Sequence, residues 1–281
     1  MLAKAVLQII TVALLCAPGA SSAAPPPRVL PISEVVFQPL NPARGEASPQ
    51  AGVLWGDIRN NKSTGAIVRF RDGFSSPPHI HNITYRAVVI EGAVHNDDRQ
   101  AEPMWMGPGS FWTQPAGEPH ITAAKPGQPA MIVLEILQGP YLVRPSDQAF
   151  DNGERPINVD ATNIIWLSSQ DTTWVEGADA QIAFLWGRRQ GDGRHGALLR
   201  LRSGTSGQLQ GAGAPRHTVV IRGPIEFGAA EGGGRAEKLE AGSYFSASGS
   251  DEVISCLSNA EADCLVYVST RGRYRFATAT P

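Results

Sequence analysis

Leu54-Trp55-Gly56 recurs as Leu185-Trp186-Gly187, 131 positions further on (Trp55 to Trp186). The same register carries Gly65 to Gly196, Arg69 to Arg200, Arg71 to Arg202 and Gly73 to Gly204. It also carries Val88-Val89-Ile90-x-Gly92 to Val219-Val220-Ile221-x-Gly223. Gly109-Ser110-Phe111 answers Gly242-Ser243-Tyr244 at a spacing of 133 (Gly109 to Gly242), as a short loop insertion would produce. Chance similarity does not hold one register over so long a span, so the chain contains two copies of one domain. Its 281 residues suffice for two ordinary cores. The apolar runs are short and β-suited: Gly65–Arg71, Thr84–Glu91, Ser110–Thr113 and Met131–Leu137 in the first copy, Ala197–Arg202, Thr218–Ile221, Ser243–Ala247 and Leu265–Ser269 in the second. Thirty glycines and 22 prolines separate them and no long amphipathic helix intervenes, which predicts an all-β fold.

The first copy holds the chemistry. Gly73-x5-His79-x-His81 is answered by Gly109-x5-Pro115-x-Gly117-x2-His120. On a strand, His79 and His81 point to the same face, and a third imidazole from a turned segment can close a site if the two segments meet. Imidazoles suit zinc, iron, manganese, copper or nickel, and three neutral ligands leave the ion's charge uncompensated and at least one position open. In the second copy His79 aligns with Gln210, His81 with Ala212 and His120 with Val253, while His217 aligns with Arg86 and stands alone. The repeat therefore folds without these histidines, and the second copy is expected to cover the first barrel or to make a homodimer contact.

These two motifs resemble those of the cupin superfamily, with Gly73, His79, His81 and Gly92 in register in the first and Gly109, Pro115, Gly117 and His120 in the second. Two positions depart from the pattern: Tyr85 stands in place of the usual glutamate ligand, and Ala124 in place of the closing asparagine. The mature chain also resembles the DUF4437 family, a two-cupin family related to the cupin part of ChrR-like proteins and without an assigned activity. The resemblance implies two tandem cupin (RmlC-like jelly-roll) β-barrels, with one divalent transition metal, Fe, Zn or Mn, held by His79, His81 and His120. It is similar to those cupin dioxygenases that dispense with the carboxylate, where Fe(II) would bind substrate and O₂ together; zinc would instead imply hydrolase, lyase or isomerase chemistry. Two other functions stay open: a periplasmic module that captures a metal or small carboxylate without turnover, and an interaction domain with a vestigial site.

Tyr85 is a candidate to handle a proton or donate a hydrogen bond to a bound ligand, or else to fill space. Glu135 interrupts the apolar run Met131–Leu137, where an unpaired carboxylate would be costly. A nearby metal, Arg69 or Arg86 would offset that cost, making Glu135 a distal ligand, a general base or half of a structural ion pair. Trp105, Phe111 and Trp112 could wall a pocket or form core, and Gln114 precedes the Pro-x-Gly turn.

The charge balance, 24 basic against 26 acidic side chains, offers no field for nucleic acid, so the expected partner is a small-molecule ligand or substrate. Lys4, the apolar stretch Ala5–Ala17 and Ser21-Ser22-Ala23 read as an export signal over residues 1–23, giving a periplasmic or secreted protein with no stable membrane insertion after cleavage. A flexible start at 24–32, a metal-site domain at 33–140, a turn-rich linker at 141–160 and a second domain at 161–277 complete the expected organisation. Cys256 and Cys264 flank what reads as a hairpin of Glu252–Leu257 with Cys264–Ser269. An oxidising compartment would permit a cross-strand disulfide there; the alternative is two buried thiols.

Overall fold

The computed structural model describes residues 27–278 apart from 192, 212–214, 230–235, 249–251, 259 and 261, so the expected export signal and Ala212 lie outside the described residues. The sequence repeat returns as a repeat of sheets. One sheet runs in the order Ile157–Val159, Phe111–Gln114, Tyr85–Glu91, Ala130–Ile136, Thr64–Phe70, Gln50–Trp55, Gln38–Pro39. Its counterpart runs Arg28–Leu30, Tyr244–Ala247, Arg216–Arg222, Cys264–Arg271, Arg194–Leu201, Ala180–Gly187. A second layer closes each into a jelly-roll barrel. In the first copy Val143–Pro145 pairs with His79–His81, and Val94–Asp97 with Ile121–Ala124, the two pairs being joined by His79–His120 and Ser75–Ala123 bridges. In the second copy the layer is a six-stranded sheet centred on Ser206–Gly211 and Glu252–Cys256. Among the described residues no helix is long and apolar enough to cross a membrane.

The repeated Trp-Gly pair has a physical cause. The ladder between Gln50–Trp55 and Thr64–Phe70 slips between Val53 and Trp55, and the ladder between Ala180–Gly187 and Arg194–Leu201 slips between Phe184 and Trp186. Each bulge lays an indole across the facing glycine. A Cβ on Gly65 would stand 2.1 Å from the Trp55 ring, and one on Gly196 would stand 2.1 Å from Trp186 Nε1. The central strands are apolar on both faces because both faces are covered. Ala87, Val89, Ile132 and Leu134 face the interior of their own barrel, while Val88 and Val133 pack against Leu198, Val219 and Tyr244 of the other.

The ends of the two copies are exchanged, which corrects two expected boundaries. Arg28–Leu30, read as part of a flexible start, pairs with Tyr244–Ser246 of the second copy. Ile157–Val159, read as linker, pairs with Phe111–Thr113 of the first. The exchange is symmetrical to the hydrogen bond: Ile32 N donates to Ser243 Oγ at 3.0 Å and Ala161 N to Ser110 Oγ at 2.9 Å. Three-residue edge strands are too short to show a period, so composition reads them as coil.

Cys256 and Cys264 are bridged, with Cα atoms 5.6 Å apart. The expected hairpin is absent, however. Glu252–Cys256 pairs with Ser206–Gln208 and Ile225–Ala229, whereas Cys264–Arg271 runs in the other sheet. The disulfide therefore ties the two layers of the second barrel together rather than two neighbouring strands.

Candidate metal centre

His79 and His81 lie on a three-residue strand, and His120 is set beside it by paired backbone bonds: His79 N donates to His120 O and His120 N to His79 O, both at 3.0 Å. Gly117 makes the approach possible. It has φ +80°, its N–H donates to His81 O at 2.8 Å, and a Cβ there would stand 2.1 Å from Phe150 O. The three imidazoles are buried, and one ring nitrogen from each falls within 4.8 Å of the others. Nε2 of His79 and of His81 are 3.2 Å apart, near the ~3.4 Å that separates two nitrogens bound tetrahedrally to one zinc-sized ion.

Hydrogen bonding fixes which nitrogen faces inward. His79 Nδ1 meets Pro77 O at 2.9 Å, His81 Nδ1 meets Leu142 O at 3.2 Å, and His120 Nδ1 meets Glu118 O at 3.0 Å. A carbonyl can only accept, so each Nδ1 carries the proton and each Nε2 presents a lone pair. His120 Nε2 is buried without a hydrogen-bond partner, and the lone pairs of His79 and His81 face each other. A cation between them would satisfy all three nitrogens, so the residues fit a metal. Burial also favours the neutral, ligating form. It lowers all three imidazoles below the usual 6.5, His120 to about 3 and His81 well below, with the neighbouring histidines adding to the effect at His81 and His120.

Tyr85 is brought to the site but its hydroxyl is already engaged. It donates to Asn96 Oδ1 at 2.9 Å; Asn96 Nδ2 donates to Gln114 Oε1 at 2.9 Å, and Gln114 Nε2 to Glu118 O at 3.1 Å, the carbonyl that also anchors His120. Burial, opposed by the polar groups around the hydroxyl, pushes this phenol up to about 12, so it stays neutral. Gln114 thus belongs to the chain of groups behind His120. Trp112 walls the cavity, Phe111 packs into the core between the barrels, and Trp105 stands edge-on to His95.

Glu135 is not brought to the histidines, which corrects its expected role beside a metal. Strand alternation turns Leu134 toward the cavity and Glu135 toward the second barrel, where its carboxylate accepts from Tyr267 Oη and Ser269 Oγ, both at 2.7 Å. Arg194 Nη1 stands 3.7 Å away. Sequence reasoning missed Tyr141 instead. Its hydroxyl is 3.1 Å from His81 Nε2 and its ring stacks on His81 with centroids 4.3 Å apart. Asn82 holds this segment through Pro140 O and Leu142 N. Asn82-x-Thr84 beside the histidines offered no signal for it; the segment read as linker.

In the second barrel the equivalent position is filled. Val94 pairs with Ala124 as Ile225 pairs with Cys256, which sets the counterpart of His120 at Glu252 rather than at the expected Val253. Arg216 stands at the Tyr85 position, and its guanidinium forms a buried ion pair with Glu252 at 2.5 Å. Among the described residues His217 joins no cluster of ligands: it stacks on Trp55 at 4.4 Å and its Nδ1 meets Tyr244 Oη at 2.8 Å.

His79 and His81 open onto a cavity of about 140 Å³ lined by apolar and aromatic side chains, among them Val68, Phe70, Phe74, Trp112, Leu134 and Tyr141.

Residues 28–277 match the family described as Domain of unknown function (DUF4437). Among curated proteins none matches the chain. A protein of Nostoc punctiforme PCC 73102, provisionally described as a dioxygenase, is similar in structure: 15% identity, TM-score 0.64, over 91% of this chain and 87% of that one. Salicylate 1,2-dioxygenase from Pseudaminobacter salicylatoxidans is 13% identical with TM-score 0.56, over 92% and 90%. Vicilin from hazelnut, Corylus avellana, is 13% identical with TM-score 0.54, over 86% and 85%. At such identities the likeness is one of fold, the tandem cupin jelly roll, and a set that includes both a dioxygenase and a vicilin does not choose a chemistry.

Proposed function

The chain belongs to the DUF4437 family of cupins, which assigns a fold and no chemistry, and from its site we propose a metal-dependent enzyme with one mononuclear three-histidine centre in the N-terminal barrel, acting on a small organic molecule by dioxygenase-like chemistry. One observation carries this reading. Three imidazoles, each fixed through Nδ1 on a backbone carbonyl, converge through Nε2 beside a cavity that His79 and His81 line, and among the described residues no carboxylate or thiol joins them to close the coordination sphere. A structural centre is closed by protein ligands; this one is open toward the cavity.

When bound, iron would supply the site at which O₂ and an organic substrate meet, and zinc a Lewis acid. The chain supplies the rest. The aromatic walls exclude water from the reacting space. Tyr141, its phenol raised well above its usual value by burial, keeps its proton and can donate a hydrogen bond to a group bound in front of His81. The Tyr85–Asn96–Gln114 chain keeps the carbonyl that orients His120 in place. The absence of an Asp or Glu along the described cavity wall favours oxygen chemistry over a zinc hydrolase, which would want a carboxylate base. Export remains part of the proposal, supported by the apolar N-terminal sequence and by a disulfide suited to an oxidising compartment.

The test is oxygen uptake by protein reconstituted anaerobically with Fe(II) or Zn(II), screened against small aromatic and diketone substrates. Substrate-dependent uptake with iron, absent with zinc and in His81→Ala, is expected. Turnover with zinc and none with iron would move the reading to non-redox chemistry, and tight ligand binding without turnover would leave a binding protein.

A further inference from the structure

The cavity in front of the histidines has one permanent charge on its described wall, and it is positive. Asn41, Ser48, Ser76 and Thr122 contribute neutral polar groups, the histidines are neutral, and no Asp or Glu lines the space; Arg44 is the exception. Arg44 is exposed at the mouth, on the 3-10 segment Pro42–Ala47. That segment is anchored at both ends. Asn41 Oδ1 accepts from Ala43 N at 3.0 Å, Asn41 N donates to Ser48 Oγ at 2.9 Å, and Gln50 Nε2 donates to Ser48 O at 2.8 Å. Among the described residues no carboxylate pairs with Arg44.

Resting on the reading of this cavity as the ligand site, we propose that it selects a small organic monocarboxylate with an apolar, one-ring body, and that Arg44 is the residue that recognises the carboxylate. A cation held by three neutral imidazoles has no protein anion to balance it, because Tyr85 and not a carboxylate lies beside the histidines, so the cavity favours anions and disfavours amines. Phe70, Phe74, Trp112 and Tyr141 offer ring faces and edges to an apolar body, and the cavity volume of about 140 Å³ compares with the roughly 150 Å³ cavity that accepts benzene. A guanidinium binds a carboxylate through two parallel hydrogen bonds, whereas a phosphate of higher charge calls for more than the one cationic side chain this wall offers. Arg44, His79 and His81 thus line one space together with the apolar walls.

Binding to the metal-free protein tests this independently of the metal. Benzoate, benzyl alcohol and benzylamine would be titrated calorimetrically into the wild type, Arg44→Gln and Arg44→Lys. Benzoate should bind roughly tenfold more tightly than benzyl alcohol, as one partly solvated charge-assisted contact allows, and benzylamine more weakly than either. Arg44→Gln should bring benzoate down to the level of the alcohol without changing the alcohol itself, and Arg44→Lys should restore part of the difference. Benzoate binding no tighter than benzyl alcohol, no binding of any of the three, or equal benzoate affinity in wild type and Arg44→Gln would each overturn the assignment. A failure of the metal reading would show separately, as absent metal in the reconstituted wild type.

Discussion

Alanine at His120 is expected to weaken metal retention by more than about a hundredfold, because even groups that merely orient a ligand cost 10–100-fold when removed. Equilibrium dialysis against a chromophoric chelator measures the effect. Folding should survive. The second copy builds the same barrel with Glu252 and Arg216 at the equivalent places, so the fold does not depend on the imidazole. His217→Ala is the matched control. That ring stacks on Trp55 at the contact between the barrels, and its loss should lower stability slightly and leave metal content unchanged. Equal metal loss in both variants would mean that the effect is one of general unfolding.

Glu135→Ala should destabilise the chain by about 3 kcal/mol, as expected when a buried hydrogen-bonded carboxylate is removed from its donors. The hydroxyls of Tyr267 and Ser269 would lose their acceptor, and Tyr267 Oη also holds Trp186 Nε1 at 2.9 Å, so the loss reaches the Trp186–Gly196 packing. Urea denaturation measures it. The carboxyl is raised above its usual 4.5 by burial, against the opposing pull of Ser269, Tyr267, Arg194 and Arg86. Its folded value therefore lies above its unfolded one, and in that interval the folded chain binds more protons. The ionised group is thus a cost that grows as pH rises from about 4.5 through the folded value. Glu135→Gln should gain on the wild type as pH is raised from 5 to 8; a constant gap across that range would contradict the buried setting.

Much of this was legible in the chain. The Trp55 and Trp186 register pointed to the duplication because each indole needs its glycine, and the His79–His81 and His120 spacing pointed to a cluster of three imidazoles because strand alternation and a glycine turn can bring them together. What was not legible depended on contacts distant in sequence. Tyr141 comes from a stretch with too little periodicity to read as structure, and it reaches His81 through Asn82 and the three-residue strand Val143–Pro145. Glu135 was misplaced because the apolar run on both sides of it hides which face is which; the two faces belong to different barrels. The alignment of His120 with Val253 missed by one residue because the copies differ by a loop insertion, and only the strand ladder fixes where the register changes.

The most direct test of the central claim is metal content per chain of residues 24–281, purified anaerobically without an affinity tag, with X-ray absorption at the edge of whatever metal is found. The account predicts about one ion per chain, with three imidazole nitrogens at roughly 2.0–2.1 Å in its coordination sphere. No metal even after reconstitution, or an ion that retains its histidine signature in His120→Ala, would contradict it.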